Sequence, residues 1–167
     1  MKRIVIVEDK PWITSNAVLR LKEENANEVR IIYYPNTYGD ASEKNELLDG
    51  LKETTNVEID TVINQTEFVN KMEELYEKPD VVFLMDYDLE GDSTVPPEKR
   101  INYRYAKLKE YGEGRTVNSR KIWFYTISGV FNLEIITRNF PDNVLHVDKY
   151  TEGQLTWNVG EMNHILR

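Results

Sequence analysis

Four places in this chain join a short apolar run to a residue that can handle a metal ion or a phosphoryl group. Ile4-Val5-Ile6-Val7 leads into Glu8-Asp9, and Val81-Val82-Phe83-Leu84-Met85 leads into Asp86-Tyr87-Asp88. Ile122-Trp123-Phe124-Tyr125 leads into Thr126, and Val144-Leu145-His146-Val147-Asp148 leads into Lys149. Glu8, Asp9 and Asp86 are hard oxygen ligands of the kind Mg²⁺ takes in small number while keeping several waters. A carboxylate is also a competent nucleophile toward phosphorus. The Thr126 hydroxyl and the Lys149 ammonium are groups that meet phosphoryl oxygens, and Gly129, shortly after Thr126, lets backbone approach closely. Each residue also has a plainer role. Glu8-Asp9 suits the start of a following helix, Asp86 and Asp88 suit a polar turn, Thr126 is an ordinary strand end, and Lys149 is an ordinary surface charge. The coincidence of four such ends carries the chemical reading.

The apolar runs have the length of buried parallel strands, and ligand sites in open α/β sheets lie beyond the carboxyl ends of those strands. Strands are expected at 3–7, 29–34, 57–63, 81–86, 121–126 and 144–148. Val57, Ile59, Thr61 and Ile63 alternate with Glu58, Asp60 and Val62, which marks one exposed face. Helices are expected from Pro11 to about Glu23, from Ser42 to about Thr54, from Gln65 to Glu77, from Pro97 to Tyr111, from 131 to 139, and from 152 to 166. Phe68, Met72 and Leu75 give the third its buried stripe, and Thr151 with Gln154 reads as a capping box for the last. Alternating strands and helices predict one α/β domain over 1–167, a doubly wound, mainly parallel five-stranded sheet with helices on both faces and an inserted strand–helix segment.

Composition limits the function classes. A net charge of −8 opposes a non-specific grip on nucleic acid, so no nucleic-acid partner is expected. With 40% hydrophobic and 30% charged residues the chain is an ordinary globular protein. It has no cysteine, which removes thiolate metal sites and suits a reducing compartment. The apolar run behind Met1-Lys2-Arg3 is too short for a signal peptide, and no stretch reaches membrane-spanning length, so a cytoplasmic location without membrane association is expected.

With these residues in view the chain resembles the receiver domain of two-component response regulators, a receiver/flavodoxin-like fold. Val7-Glu8-Asp9-Lys10-Pro11 is similar to that family's acidic pair with its trailing proline. Asp86-Tyr87-Asp88-Leu89-Glu90-Gly91 is similar to its Asp-x-x-Leu-Pro-Gly segment, with Glu90 in place of the proline. Thr126 and Lys149, 23 residues apart, resemble its switch hydroxyl and lysine. The resemblance implies Mg²⁺ held by Glu8, Asp9, Asp86 and the backbone carbonyl of Asp88. It further implies phosphorylation of Asp86 from a phosphohistidine or a small phosphodonor, and contacts from Thr126 and Lys149 to the acyl phosphate. The partners it implies are a histidine kinase or phosphotransfer protein and a downstream protein, with a homodimer open.

The chain departs from the family pattern at three points. Tyr150 follows Lys149 where the family has proline. His146 stands at a commonly aromatic position and reads as a buried, satisfied histidine. Extra length falls at about 28–55, containing the added strand and short helix, and at about 92–118. Three other readings compete. Asp86-Tyr87-Asp88-Leu89-Glu90-Gly91 with Glu8 also resembles the toprim pattern of Mg²⁺-dependent nucleic-acid enzymes. A dehalogenase-type phosphatase shares the Asp-x-Asp but with its acids in reverse chain order. A receiver-like fold with altered switch residues would be a binding module independent of phosphate.

Overall fold

The computed structural model describes residues 3–10, 21, 28–34, 46, 48–53, 57–89, 95–112, 121–127, 129–151 and 154–166. Of the helix expected from Pro11 only Leu21 is described, and of the one from Ser42 residues 46 and 48–53; all of these are helical, and the rest of both lies outside the described residues.

Five strands form one parallel sheet: β1 (Arg3–Glu8), β2 (Glu28–Tyr33), β3 (Glu58–Thr61), β4 (Val81–Asp86) and β5 (Ile122–Tyr125). Their order is β3-β2-β1-β4-β5, with every pair parallel. This is the doubly wound, flavodoxin-like architecture expected. A sixth position is a single parallel bridge from Val144 to Phe124 outside β5. Setting aside the short edge strand β3, the order with Val144 counted last is the flavodoxin order 2-1-3-4-5. Counted with β3, it is also the order of dinucleotide-binding sheets, but those need a glycine-rich turn after the first strand. Here that turn is Glu8-Asp9-Lys10.

Strand residues alternate between two cores because successive side chains leave opposite faces. Ile4, Ile6, Ile31, Tyr33, Val82, Leu84, Trp123 and Tyr125 pack on one face with Leu21, Leu48, Leu51, Met162 and Ile165. Val5, Val7, Ile32, Phe83, Met85 and Phe124 pack on the other. That second face is covered by α1 (Gln65–Tyr76), α2 (Ile101–Gly112) and α3 (Gly129–Asn139), through Phe68, Met72, Tyr105, Ile136 and Phe140. α1 begins where the Asn64 side chain accepts the Glu67 N–H at 2.9 Å.

The exposed edge is charged. On β2 and β3, Arg30 Nε lies 2.7 Å from Asp60 Oδ2 and its Nη1 lies 3.3 Å from Glu58 Oε2, while Lys71 Nζ of α1 lies 3.8 Å from Asp60 Oδ1. β3 stops at Thr61, so Ile63 leaves the strand and is 71% exposed instead of completing the alternation.

The C-terminal part differs most from expectation. The strand expected at 144–148 keeps its parallel pairing only around Val144, where Phe124 N–H donates to the Asn143 carbonyl and Leu145 N–H to the Phe124 carbonyl. The chain then turns into β6 (Val147–Thr151), which pairs antiparallel with β7 (Gln154–Trp157) as a separate two-stranded sheet. The helix expected over 152–166 is only α4 (Val159–Leu166). Thr151 and Gln154 face each other across the hairpin instead of capping a helix. The cap is Asn158, whose Oδ1 accepts the Glu161 N–H at 3.0 Å. The helix expected from Pro97 to Tyr111 is broken at Arg100, whose extended backbone separates a 3₁₀ turn (Pro97–Lys99) from α2.

Candidate metal centre

From β1 the chain moves outward to β2 and β3, then returns to the far side of β1 as β4. The carboxyl ends of β1 and β4 therefore border the crevice where an α/β sheet takes its ligand. Alternation along β1 and β4 puts Glu8 on the face of Ile4 and Ile6, and Asp86 on the face of Val82 and Leu84. In register Tyr33 lies beside Glu8 and Tyr125 beside Asp86. The two carboxylates thus sit between two tyrosines in one row across four strands. Glu8, Asp9 and Asp86 are all fully buried.

One ligand oxygen from each of Glu8, Asp9 and Asp86 lies within 4.8 Å of the others. The oxygens differ in what they already hold. Glu8 Oε1 accepts the N–H groups of Asp9 and Lys10 at 2.9 and 3.1 Å, and its Oε2 accepts the Tyr125 hydroxyl at 2.6 Å. Asp86 Oδ1 accepts the Asp88 N–H at 3.1 Å. Asp9 Oδ2 and Asp86 Oδ2 are buried with no hydrogen-bond partner among the described residues. Lys10, 28% exposed at its side chain, brings Nζ to 3.3 Å from Asp9 Oδ1 and 3.7 Å from Asp86 Oδ2.

Like charges crowded out of water favour protonation. Burial, then the charges of Asp86 and Asp9, push Glu8 well above the ordinary carboxylate range. Burial pushes Asp86 up to about 7, against the pull of Lys10 and with the push of Asp9. Burial alone would lower Lys10, but Asp86, Asp9 and Glu8 outweigh it and hold the ammonium above its usual value. Burial and the Glu8 and Asp86 charges likewise raise Tyr125 far above a free phenol.

Asp88 belongs to a neighbouring network. Its Oδ1 lies 3.1 Å from Arg100 Nη1, and Asn132 Nδ2 donates to its two oxygens at 3.1 and 2.9 Å. Arg100, from the break before α2, also donates from Nε to the Val95 carbonyl at 3.1 Å and covers the Tyr87 ring at 4.4 Å. Asn102 of α2 donates to the carbonyls of Asp86 and Tyr87. All of these side chains are buried. The turn over Tyr87, Asp88 and Leu89 is thereby stapled to α2 and α3.

Of the residues singled out in the sequence, the fold gathers Glu8, Asp9 and Asp86 at adjacent strand ends. Asp88 follows them, but its carboxylate turns to Arg100 and Asn132. Thr126 lies just past β5, half-buried. Lys149 does not end a strand of the main sheet; it lies inside β6, opposite Thr156 in the hairpin, after an irregularity that follows Val147. His146 is 46% exposed and not buried, because the chain has left the sheet by that point. It is nevertheless satisfied: Glu161 accepts its backbone N–H at 2.6 Å and contacts its Nδ1 at 2.5 Å. Sequence reading passed over Lys10, Tyr125, Arg100, Asn102 and Asn132. Only Tyr125 carried a signal, as the last residue of an apolar run placed one row from an acid. The others act through distances that spacing does not reveal.

The donor set suits a divalent cation. Three carboxylates converge, and among the described residues two of their buried oxygens have no hydrogen-bond partner, a costly arrangement away from water. Comparison with family profiles, curated proteins and solved structures finds no match to this chain. Among the described residues no helix is long and apolar enough to cross a membrane.

Proposed function

We propose that the chain is a receiver domain whose Asp86 takes a phosphoryl group from a phosphohistidine or small phosphodonor in the presence of Mg²⁺. The observation carrying this reading is the buried triad Glu8, Asp9 and Asp86 at adjacent parallel strand ends, with Asp9 Oδ2 and Asp86 Oδ2 lacking a hydrogen-bond partner among the described residues. Asp9 and Asp86 would hold the ion directly. Glu8, whose oxygens already accept three donors, would hold it chiefly through water. The ion supplies neutralisation of the charge on the transferring group. An Asp86 oxygen donates its pair to phosphorus, the P–N bond breaks, and that bond's electrons leave on the donor imidazole nitrogen, which takes up a proton. Lys10 stands where a phosphoryl oxygen beside Asp86 would meet a cation, and Thr126 lies at the end of the adjoining strand. The resemblance assigns the lysine role to Lys149, which in this reading acts from the hairpin.

The Asp88 geometry favours this reading over the toprim one. A toprim-type centre would use the second acid of Asp86-Tyr87-Asp88, yet that carboxylate is committed to Arg100 and Asn132. The partners in this reading are a histidine kinase or phosphotransfer protein and a downstream protein in the cytoplasm. Incubation with a small phosphodonor and Mg²⁺, read by intact mass, tests it. The expected result is one added phosphoryl group, absent in Asp86→Asn. Labelling of Asp86→Asn at the wild-type level refutes the assignment, and Mg²⁺-dependent DNA nicking lost in Glu8→Gln supports the rival.

A further inference from the structure

Asp88 touches both the acceptor and the helices. Its N–H donates to Asp86 Oδ1 at 3.1 Å, and its own buried carboxylate is held by α3 through Asn132. The same carboxylate is held at the head of α2 through Arg100, whose guanidinium also rests on Tyr87 and reaches Val95. α2 and α3 are in turn joined by the Tyr103 hydroxyl on Asn139 at 3.0 Å and by Tyr103 against Phe140.

We propose that Asp88 is the lever by which the chemical state of Asp86 is transmitted, with Asn132 of α3 as the contact that reads it and Arg100 as its pivot. The inference rests on the receiver reading and names the regulation of that site. Converting the Asp86 carboxylate into an acyl phosphate turns a charged acceptor into a neutral ester carbonyl or an esterified oxygen. Either one accepts the Asp88 N–H more weakly. The new phosphoryl charge also repels the Asp88 carboxylate, which sits in the same turn. Arg100 is wedged between Tyr87 and the Val95 carbonyl, so the motion falls on the Asn132 bonds and on the first turns of α3. A path through Thr126 and an aromatic residue near the lysine would instead move the C-terminal hairpin.

The test compares amide hydrogen exchange in the free protein and in its Mg²⁺–beryllofluoride adduct, with adduct formation measured separately by titration. In the wild type, exchange across 129–139 changes by about fivefold or more, the lower end of common coupling strengths. In Asn132→Ala the adduct forms with wild-type affinity, but the change across 129–139 disappears. Failure of the wild type to form the adduct refutes the receiver reading itself. An adduct that forms without altering 129–139 in the wild type, or that alters it equally in Asn132→Ala, overturns the lever and leaves the receiver reading standing. The wild-type comparison decides the matter even if the variant does not fold.

Discussion

In metal-free buffer the protein should lose stability as pH rises from 5 to 8. Asp86 is pushed by burial from an ordinary 3.8 up to about 7, and Glu8 is raised in the same direction. A carboxyl whose folded value is raised binds its proton more tightly in the folded state. Between the two values the native chain therefore carries more protons than the unfolded chain, and stability falls with pH. At about 1.4 kcal/mol per tenfold change in proton concentration, the two pH units between 5 and about 7 give Asp86 alone a ceiling of about 3 kcal/mol in this window. Sharing of protons with Glu8 and relaxation around Lys10 reduce this to about 1–2 kcal/mol, or roughly 2–8 °C in melting temperature for a domain of this size. Lys10 is raised from an already high value, so it stays charged throughout this range and does not contribute to the slope. Mg²⁺ should reverse the loss, since a ligand at about 100 times its Kd adds about 2.7 kcal/mol. Its effect should be large at pH 8 and small at pH 5, where protons compete. Thermal melts at pH 5, 6, 7 and 8, with chelator and with Mg²⁺, measure this directly. Asp86→Asn should flatten the chelator curve and be more stable than wild type at pH 8. A flat or rising wild-type curve, or an unchanged slope in Asp86→Asn, would refute the description of a buried, crowded acid cluster.

Three further outcomes are expected. Lys10→Ala removes the cation shared by Asp9 and Asp86, so calorimetry should find Mg²⁺ bound roughly three- to tenfold more tightly and the metal-free protein less stable at pH 8. Arg100→Met leaves the Asp88 carboxylate buried without its cation, costing about 3–5 kcal/mol in denaturant unfolding. Adding Asp88→Asn to that variant should recover part of the loss, and no recovery would mean that the pair does not act as one unit. Tyr125→Phe deletes the donor to Glu8 and should cost about 1–2 kcal/mol in metal-free buffer while leaving the sheet intact by circular dichroism.

The parts of the fold legible in sequence were those where one physical signal dominates. β1 and β4 are continuous apolar runs because both their faces are covered, and their acids mark the ends unmistakably. The C-terminal hairpin was hidden by a coincidence of spacing. Thr151 and Gln154 have the separation of a capping box, and so do Asn158 and Glu161; only the second pair caps a helix. Gly153, an unfavourable residue inside a helix, was the available warning. The break at Arg100 has no local signal, since it follows from a buried ion pair with Asp88. For the same reason the split of two acids in Asp86-Tyr87-Asp88 between two networks becomes visible only once α2 and α3 are in place.

The edge strand β3 bears on how the protein behaves when concentrated. Among the described residues it has a sheet neighbour on one side only, and an open strand edge is a template for another chain. Here the edge is four residues long and carries Glu58 and Asp60, with Arg30 and Lys71 drawn in beside them. A second copy laying its own β3 alongside would set like charges against each other over a short register. Strand-to-strand polymerisation at this edge is therefore disfavoured.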